Sequence, residues 1–355
     1  MKWIFPLLLA ASLTLGLTPL VRRLAIRVGA MDQPDKRKVH TCPMPRMGGL
    51  AIFFSFWITI FITQPITAEL KAFAFGSLLI LISGVWDDMK NIRPWMKLVF
   101  QFAAALVVIL AGVKVTFITN LFSASPTVLG WLSVPFTMLW IVGMTNAVNL
   151  VDGLDGLAAG VSAIAALSIG IIAWMEGFAS VGYLSILLAS STFAFLKYNF
   201  HPAKIFMGDT GALFLGYALA VISILGLTKM ATTVSLFLPV VVLGVPIMDT
   251  LFAIVRRLTN RMPIFAADKD HLHHRLLAMG FSHTQAVLVV YGVCLFLSLS
   301  AIGISLLPTG QAMMAIGVVA VVGIWAAEKV GVLGRQAKAA AAEPSSQKKS
   351  EIAKH

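Results

Sequence analysis

The chain has 355 residues, of which 59% are hydrophobic and 12% are charged, and its mean hydropathy is +0.90. This composition excludes an ordinary soluble domain and is typical of a protein that crosses a membrane many times. The net charge of +12 does not indicate nucleic-acid binding, because the sequence offers no compact soluble basic segment for that role.

Long apolar runs predict membrane-spanning helices, because a bilayer core of roughly 30 Å requires about 20 apolar residues per helix. We predict an all-α integral membrane protein, a polytopic bundle of about 11 transmembrane helices. The first run is expected to be an uncleaved span, since Arg22 and Arg23 follow it at once. The runs lie near residues 3–21, 48–66, 70–86, 95–112, 130–148, 157–175, 180–197, 211–227, 232–255, 284–306 and 311–328.

The positions of the basic residues predict the orientation of the chain. Twenty-three of the 27 Lys and Arg residues fall on one side of the predicted spans. Under the positive-inside rule that side is the cytoplasm. The N-terminus is therefore expected outside and the C-terminus in the cytoplasm.

The remaining segments predict a simple organisation. Residues 1–334 form one polytopic membrane domain, and residues 335–355, rich in Ala, Lys, Ser and Gln, form a disordered cytoplasmic tail. The external connection 112–130 contains a β-prone stretch that predicts a small hairpin. Cys42 and Cys294 are isolated, which argues against a zinc site or a disulfide framework.

Two adjacent carboxylates, Asp87 and Asp88, end the third predicted span. Neighbouring negative charges repel each other, so the pair requires a cation or a shared proton. Mg²⁺ with phosphate substrates suits them, since it is commonly bound by one or two carboxylates and phosphate oxygens. A solvated helix end is the alternative. Lys97, in the next span, either holds a lipid phosphate or anchors its helix at the interface.

The string N-A-V-N-L-V-D-G-L-D-G-L at 146–157 joins the fifth and sixth predicted spans. Asn149 offers a neutral oxygen ligand, and the glycines allow a ligand to approach the backbone. Asp152 and Asp155 share a face if the segment is helical. Alternatively, Asp155 caps the sixth span. A calcium loop is disfavoured, because the later bidentate Glu is missing.

The string F-M-G-D-T-G at 206–211 opens the eighth predicted span. Asp209 and Thr210 are good N-cap residues, which is the structural alternative. A helix N-terminus also binds phosphate through its unpaired N–H groups. Because the other carboxylates fall on the same side, we favour a site in which Asp209 binds a metal and the amides face phosphates.

Three histidines and Arg275 lie in the string D-K-D-H-L-H-H-R at 268–275. They suit either a metal cluster or contacts with a diphosphate, and we favour the diphosphate. The basic loop 32–40, followed by Arg46, attracts a nucleotide or an anionic lipid, or is only a topology signal. Asp249 lies inside the ninth run and either adjoins the site or has a structural hydrogen-bonding role.

Together these strings resemble the bacterial polyprenyl-phosphate N-acetylhexosamine-1-phosphate transferase family, within glycosyltransferase family 4. The similarity extends from Arg22 to about Gly280. One departure is Asn91, where relatives often carry a third acid. The most specific strings are D-Q-P-D-K-R-K-V-H at 32–40, P-R-M-G-G at 45–49, N-x-x-N-x-V-D-G-x-D-G at 146–156, F-M-G-D-T-G at 206–211 and D-x-D-H-L-H-H at 268–274.

The resemblance implies a multi-pass protein of the bacterial cytoplasmic (inner) membrane with a cytoplasm-facing active site. It implies transfer of N-acetylhexosamine-1-phosphate, by default GlcNAc-1-phosphate, from a UDP-sugar to undecaprenyl phosphate, which initiates a cell-envelope polysaccharide and requires Mg²⁺ or Mn²⁺. A homodimer is left open. The residue roles that it implies are catalysis for Asp87 and Asp88, metal binding for Asn149 and Asp209, and substrate binding for Asp32, Arg46, Lys97, Asp152, Asp155, His271, His273, His274 and Arg275.

Two other classes compete with a transferase. A transporter of ions or small solutes would place ionisable residues near the middle of the bilayer. Here they lie at the inner ends of the spans, apart from Asp249. A non-catalytic lipid-binding scaffold would not need the carboxylates. The sequence therefore favours an enzyme, but it does not identify the donor sugar.

Overall fold

The computed structural model describes residues 3–34, 42–118, 127–227, 237–263 and 270–331. Most of the basic loop at 35–41 and the predicted disordered tail lie outside these residues. Helices dominate the described chain, which confirms the predicted all-α membrane class.

The helices of the described ranges alternate with short connections. They are α1 (Ile4–Val28), α2 (Gly49–Thr63), α3 (Ala68–Lys90), α4 (Pro94–Leu110), α5 (Ser133–Val151), α6 (Leu157–Met175), α7 (Ala179–Asn199), α8 (Gly208–Leu227), α9 (Phe237–Val242), α10 (Gly244–Thr259), α11 (Leu272–Ala278), α12 (His283–Ser305) and α13 (Thr309–Lys329). The strands are β1 (Met31–Asp32), β2 (Met44–Pro45), β3 (Phe117–Ile118) and β4 (Thr127–Val128).

Eight helices of the described chain are long and apolar enough to cross a membrane, namely α1, α3, α5, α6, α7, α8, α12 and α13. The apolar helices α2 and α4 are shorter. The ninth predicted run is not one helix, because α9 ends at Val242 and α10 begins at Gly244. The number of about 11 spans therefore stays a prediction.

Two short hairpins lie in the connections. Strands β3 and β4 pair antiparallel, with Phe117 opposite Val128, which confirms the hairpin expected between the fourth and fifth runs. Strands β1 and β2 also pair antiparallel, with Asp32 opposite Met44. This second pairing brings Asp32 close to the segment that contains Arg46.

Helix α8 forms the centre of the bundle and packs against α2, α3 and α5. Nearly every residue of α8 is buried, whereas α13 is almost fully exposed. Small residues allow the close packing, since a Cβ on Gly49 would lie 2.1 Å from Cα of Gly211. Helices in a membrane associate through such contacts. The N-terminus of α8 is therefore held against the N-terminus of α2.

The two glycine-containing motifs also pair through their backbones. The N–H groups of Gly48 and Gly49 each donate a hydrogen bond of 3.0 Å, to the carbonyl oxygens of Phe206 and Met207. The Phe206 N–H donates to the carbonyl of Pro45 at 2.8 Å. Residues 158 to 161 positions apart in sequence thus lie side by side at the start of α8.

Candidate active site

The ends of several helices surround a cavity of about 570 Å³. Its lining residues come from the C-terminal ends of α3, α5 and α7, the N-terminal ends of α8 and α12, helix α11 and the connections between them. The predicted site residues that line it are Asp32, Arg46, Asp88, Asn149, Asp152, Asp155, Asp209 and His274. Asp87 and Lys97 stand behind Asp209 and contact each other.

The carboxylate of Asp88 caps helix α8 from another helix. Its Oδ1 accepts a hydrogen bond from the N–H of Asp209 at 3.0 Å. Its Oδ2 accepts from the N–H of Thr210 at 3.1 Å and from Oγ1 of Thr210 at 2.6 Å. A carboxylate at a helix N-terminus is stabilised by the unpaired N–H groups and by the helix dipole. The structural alternative, in which Asp209 or Thr210 caps α8, does not hold, because α8 begins at Gly208, the hydroxyl of Thr210 donates to Asp88 and the carboxylate of Asp209 pairs with Lys97.

Gly208 makes this cap sterically possible. Its backbone is left-handed, with φ of 70°, and a Cβ at this position would lie 2.4 Å from Oδ2 of Asp88. A side chain would be strained in this conformation and would also collide with the carboxylate. The glycine of the F-M-G-D-T-G string therefore gives Asp88 its access to the helix end.

Lys97 links the carboxylates of Asp87 and Asp209. Its Nζ lies 2.9 Å from Oδ2 of Asp87 and 2.5 Å from Oδ2 of Asp209. The other oxygen of Asp87 accepts the N–H of Ile92 at 2.9 Å. The ammonium group thus offsets the repulsion between two carboxylates that α3 and α8 bring together.

Asn149 extends this group from the end of α5. Its Nδ2 lies 3.4 Å from Oδ2 of Asp209. One turn earlier, Asn146 exchanges hydrogen bonds of 2.6 and 3.3 Å with Gln101 of α4. This amide pair fixes α5 against α4 and so places Asn149 beside Asp209.

Asp152 has the most perturbed ionisation among the cavity residues outside the spans. Burial is the largest cause that raises the pKa of Asp152, the negative charges of Asp209 and Asp88 act in the same direction, and together they raise it to about 8. The group is therefore largely protonated at neutral pH when no cation is close to it. A bound cation would favour the ionised form.

Asp155 does not cap α6, contrary to the structural alternative, because the N-cap position is Gly156 and has no side-chain acceptor. Oδ2 of Asp155 instead accepts from the N–H of Ala203 at 3.1 Å and lies 2.9 Å from Nδ1 of His201. The segment 152–156 is a turn rather than a helix. Asp155 therefore joins the connection after α7 to the connection after α5.

The histidine motif is divided between two environments. Asp249 of α10 accepts the N–H of Leu272 at 2.9 Å and lies 2.8 Å from Nδ1 of His271. Both side chains of this pair are buried. Asp249 thus has the hydrogen-bonding role expected as one alternative, and it fixes the start of α11, the helix that carries His274 to the cavity.

The other members of the motif point in different directions. The structure describes all four predicted residues of this motif, and of these only His274 lines the cavity. The other three are His271, His273 and Arg275. His273 packs against Gly153, and burial followed by the charge of His274 lowers the pKa of His273 to about 3. Arg275 lies 3.1 Å from Oδ1 of Asp270. The predicted diphosphate contacts of His271, His273 and Arg275 thus stay predictions. His274 is the member of the motif whose side chain lies at the cavity.

The segment before α2 closes another side of the cavity. Arg46 forms a salt bridge with Asp32. Its Nη1 also donates to Oδ1 of Asn91 at 3.5 Å. Asn91 is the left-handed residue that ends α3, with φ of 48°, a conformation that Asn tolerates well. Asn91, the position where relatives often carry a third acid, is therefore the C-cap residue of α3.

Sequence analysis missed three polar residues at the cavity, namely Asn199, His201 and His283. Asn199 accepts the N–H of Gly156 at 3.2 Å and donates to the carbonyl of Ile205 at 3.1 Å. All three lie at the predicted cytoplasmic ends of spans. A search for every polar residue at those ends, instead of motif strings alone, would have found them.

Comparisons with known proteins identify the family of the chain. Residues 70–227 match the family described as "Glycosyl transferase family 4". A "Probable undecaprenyl-phosphate N-acetylglucosaminyl 1-phosphate transferase" of Bacillus subtilis is 47% identical over 81% of this chain and 80% of its own length. "Decaprenyl-phosphate N-acetylglucosaminephosphotransferase" of Mycobacterium tuberculosis is 35% identical over 89% of this chain and 86% of its own length.

A more distant relative, the "Undecaprenyl-phosphate alpha-N-acetylglucosaminyl 1-phosphate transferase" of Escherichia coli K12, is 27% identical over 79% of this chain and 78% of its own length. The fold and site define an integral membrane protein with a cavity rich in carboxylates. The chain belongs to glycosyl transferase family 4, in the group of polyprenyl-phosphate N-acetylhexosamine-1-phosphate transferases that the sequence motifs indicate.

Proposed function

We propose that the protein transfers N-acetylhexosamine-1-phosphate from a UDP-sugar to undecaprenyl phosphate, with UMP as the second product. GlcNAc-1-phosphate is the donor group that the names of the relatives favour. The product is a lipid diphosphate sugar, which would initiate a cell-envelope polysaccharide. The observation that carries the proposal is the meeting of Asp88, Asn149 and Asp209, from three separate helices, in one cavity.

The donor set of this cavity fits Mg²⁺, with Mn²⁺ as a substitute. Hard divalent cations prefer oxygen ligands, and Asp209 offers a carboxylate next to the side-chain amide of Asn149, whose oxygen could serve as a second ligand. These two residues would hold the ion, with Asp152 close enough to respond to its charge. When bound, such an ion neutralises negative charge on a diphosphate and on the phosphoryl group in transfer.

The reaction exchanges one phosphoanhydride for another. A bond forms between an oxygen of the lipid phosphate and the phosphorus that carries the sugar, and the bond from that phosphorus to the UMP oxygen breaks. The protein therefore has to bring two anions together and orient them. Lys97 is suited to attract the lipid phosphate, and its contacts with Asp87 and Asp209 place it beside the proposed metal ligands.

Asp87 and Asp88 are proposed as catalytic residues with different tasks. Asp88 orients the start of α8 through its three hydrogen bonds. Asp87 orients Lys97 or accepts a proton, and base catalysis contributes little, since a phosphate monoester is largely ionised near neutral pH. A two-step route through an aspartyl phosphate is the alternative. Phosphorylated enzyme trapped with donor alone would favour that route.

Substrate contacts are proposed for the remaining cavity residues. His274 and Arg46 are the basic side chains that line the cavity among the predicted set, and they suit the diphosphate of the donor. Asp32, Asp152 and Asp155 line the same space and suit the polar remainder of the nucleotide-sugar. His271, His273 and Arg275 would act from behind His274.

The cavity is proposed to face the cytoplasm, where UDP-sugars are made. Cys42 tests this orientation, because it lines the cavity and is exposed, while Cys294 is buried. A membrane-impermeant maleimide should label inside-out vesicles and leave intact spheroplasts unlabelled. Labelling of the spheroplasts instead would reverse the orientation, and a Cys42→Ser variant provides the control.

The direct test of the proposed activity offers the purified protein undecaprenyl phosphate, Mg²⁺ and a panel of UDP-sugars, with UMP release as the readout. UDP-GlcNAc should release UMP only when the lipid phosphate is present. Chelation of the divalent cation should stop the release, and its restoration should recover it. Absence of UMP with every donor would contradict the proposed function.

A further inference from the structure

Two histidines outside the predicted motifs enclose Asp155. Nδ1 of His201 lies 2.9 Å from Oδ2 of Asp155. The backbone N–H of Asp155 donates to Nε2 of His283 at 2.9 Å. The two imidazole rings stack, with centroids 4.2 Å apart and planes 18° from parallel. One imidazole thus holds the side chain of Asp155, and the other holds its backbone.

This cluster has the composition of a transition-metal site but not its geometry. Ligand atoms of Asp155, His201 and His283 lie within 4.8 Å of one another, and two imidazoles with a carboxylate commonly bind zinc. The lone pair of an imidazole nitrogen lies in the ring plane. Two nearly parallel stacked rings therefore do not direct their lone pairs at one ion. In addition, Nε2 of His283 already accepts the N–H of Asp155.

Helix α12 holds the same turn at a second point. Oη of Tyr291 donates to the carbonyl of Gly156 at 2.5 Å. Tyr291 follows His283 by eight residues, about two turns, so both side chains lie on one face of α12. Asn199 accepts the N–H of Gly156 from the end of α7. The turn 152–156, which carries Asp152 and Asp155 into the cavity, is thus fastened by groups from two other helices.

We propose that His283, stacked on His201, is a positioning residue that fixes Asp155 for binding of the donor. The imidazole acts as a neutral hydrogen-bond acceptor at Nε2, so its own proton lies on Nδ1. The inference rests on the proposed function, because the ligand that Asp155 would meet is the UDP-sugar. The reacting groups around Asp209 belong to other helices, so the effect falls on donor binding rather than on the chemical step.

The test compares His283→Leu with His283→Gln. Leucine removes the acceptor, whereas the Gln Oε1 can stand close to the position of Nε2 and accept the same N–H. His283→Leu should raise the donor KM about 3- to 10-fold, the effect of one lost hydrogen bond, with kcat changed less than about twofold. His283→Gln should restore the donor KM to near the wild-type value. The KM for undecaprenyl phosphate should not change.

A second readout does not depend on catalysis. Hydrogen exchange of the peptide that contains 152–156 should be faster in His283→Leu than in wild type, because the N–H of Asp155 loses its partner. Gln285→Ala is the matched control. It breaks the capping box of the same helix, in which Gln285 bonds Ser282 at 2.9 and 3.3 Å, without touching the turn.

The outcomes separate the inference from the proposed function. The inference would be overturned if His283→Leu kept the wild-type donor KM and the wild-type exchange rate. It would also be overturned if the donor KM rose equally in His283→Leu, His283→Gln and Gln285→Ala, because that result would indicate only a role in the stability of the helix end. Wild-type protein that releases no UMP would overturn the proposed function, while the exchange measurement would still decide the fastening of the turn. If His283→Leu does not fold, the exposed His201 supplies a second comparison, because it holds the side chain of Asp155 and stacks on His283. His201→Leu should raise the donor KM, and His201→Asn, whose side chain can reach the position of Nδ1, should restore it; an unchanged donor KM in His201→Leu would overturn the inference.

Discussion

The cavity has two walls that are built by different means. The carboxylate wall, formed by Asp88, Asn149 and Asp209, consists of helix ends, whereas the histidine wall, formed by Asp155, His201, His274 and His283, consists of connections and the ends of α11 and α12. Backbone contacts between helices set the first wall, and hydrogen bonds between side chains and the turn set the second.

The difference shows where each wall is vulnerable. In the carboxylate wall, glycine contacts and the cap of α8 determine the distances, so added volume should disturb the whole bundle. In the histidine wall, single polar contacts hold a turn at the edge of the cavity. Loss of one of these contacts should change local binding while the fold persists.

The largest effect is expected for Asp88→Asn in the carboxylate wall. An amide keeps the size of the side chain but cannot accept all three of the hydrogen bonds that Asp88 receives. UMP formation should fall by about 100-fold or more, which is typical when a preorganised group of an active site is removed. Glu69→Gln, at the exposed far end of the same helix, is the control and should retain activity. Equal activity of both variants would remove Asp88 from the machinery.

A smaller but global effect is expected for Gly49→Ala. The new methyl group would lie 2.1 Å from Cα of Gly211, so α2 must move away from α8. Overpacking of this kind costs about 1–3 kcal/mol, and Tm and kcat should fall together. Gly143→Ala is the control, because nothing lies within 4 Å of the added Cβ. An unchanged Tm in Gly49→Ala would contradict the packing of α2 on α8.

A local effect is expected for Gly153→Ala in the histidine wall. The added methyl group would lie 2.2 Å from Nε2 of His273, and either the turn or α11 must shift. Donor KM should rise by about tenfold, whereas Tm should change little, because the turn is at the edge of the bundle. A loss of Tm as large as that of Gly49→Ala would show that the two walls do not differ as described.

The pH dependence of metal binding provides a finer test. The pKa of Asp152 is raised to about 8 without a cation, so Mg²⁺ has to displace a proton at lower pH. Apparent Mg²⁺ affinity should rise by at most tenfold per pH unit from pH about 6 to 8 and level off above. Calorimetry in two buffers with different ionisation enthalpies measures the released proton. Asp152→Asn should abolish the release, and an unchanged release would assign it to another group.

The sequence predicted the helices and the positions of the motif residues better than the contacts between them. Apolar runs and motif positions were sufficient for the all-α class and for the placement of Asp88, Asn149 and Asp209 at span ends. The cap of α8 by Asp88 was not predictable from local pattern, because it joins residues 121 positions apart. Hydropathy also missed the break between Val242 and Gly244, since apolar residues continue on both sides of it.

The histidine wall illustrates the same limit. The composition of the string that contains His271 and His274 indicated a functional site. It did not indicate that His271 pairs with Asp249 whereas His274 lines the cavity, because that depends on how α10 and α11 pack together. His201 and His283 are isolated histidines in the sequence. They form a pair only because the C-terminal end of α7 lies close to the N-terminal end of α12. Pairwise side-chain contacts between distant helices therefore required the structure.

The proposed transfer is tested most directly by following the donor phosphate. Purified protein is supplied with undecaprenyl phosphate and with UDP-GlcNAc that carries radiolabelled phosphorus in the β-phosphate. The label should enter the lipid fraction in an amount equal to the UMP released, and Asp209→Asn should abolish both. Label that stays in water-soluble UDP, or that enters lipid equally well with Asp209→Asn, would contradict the proposed transfer.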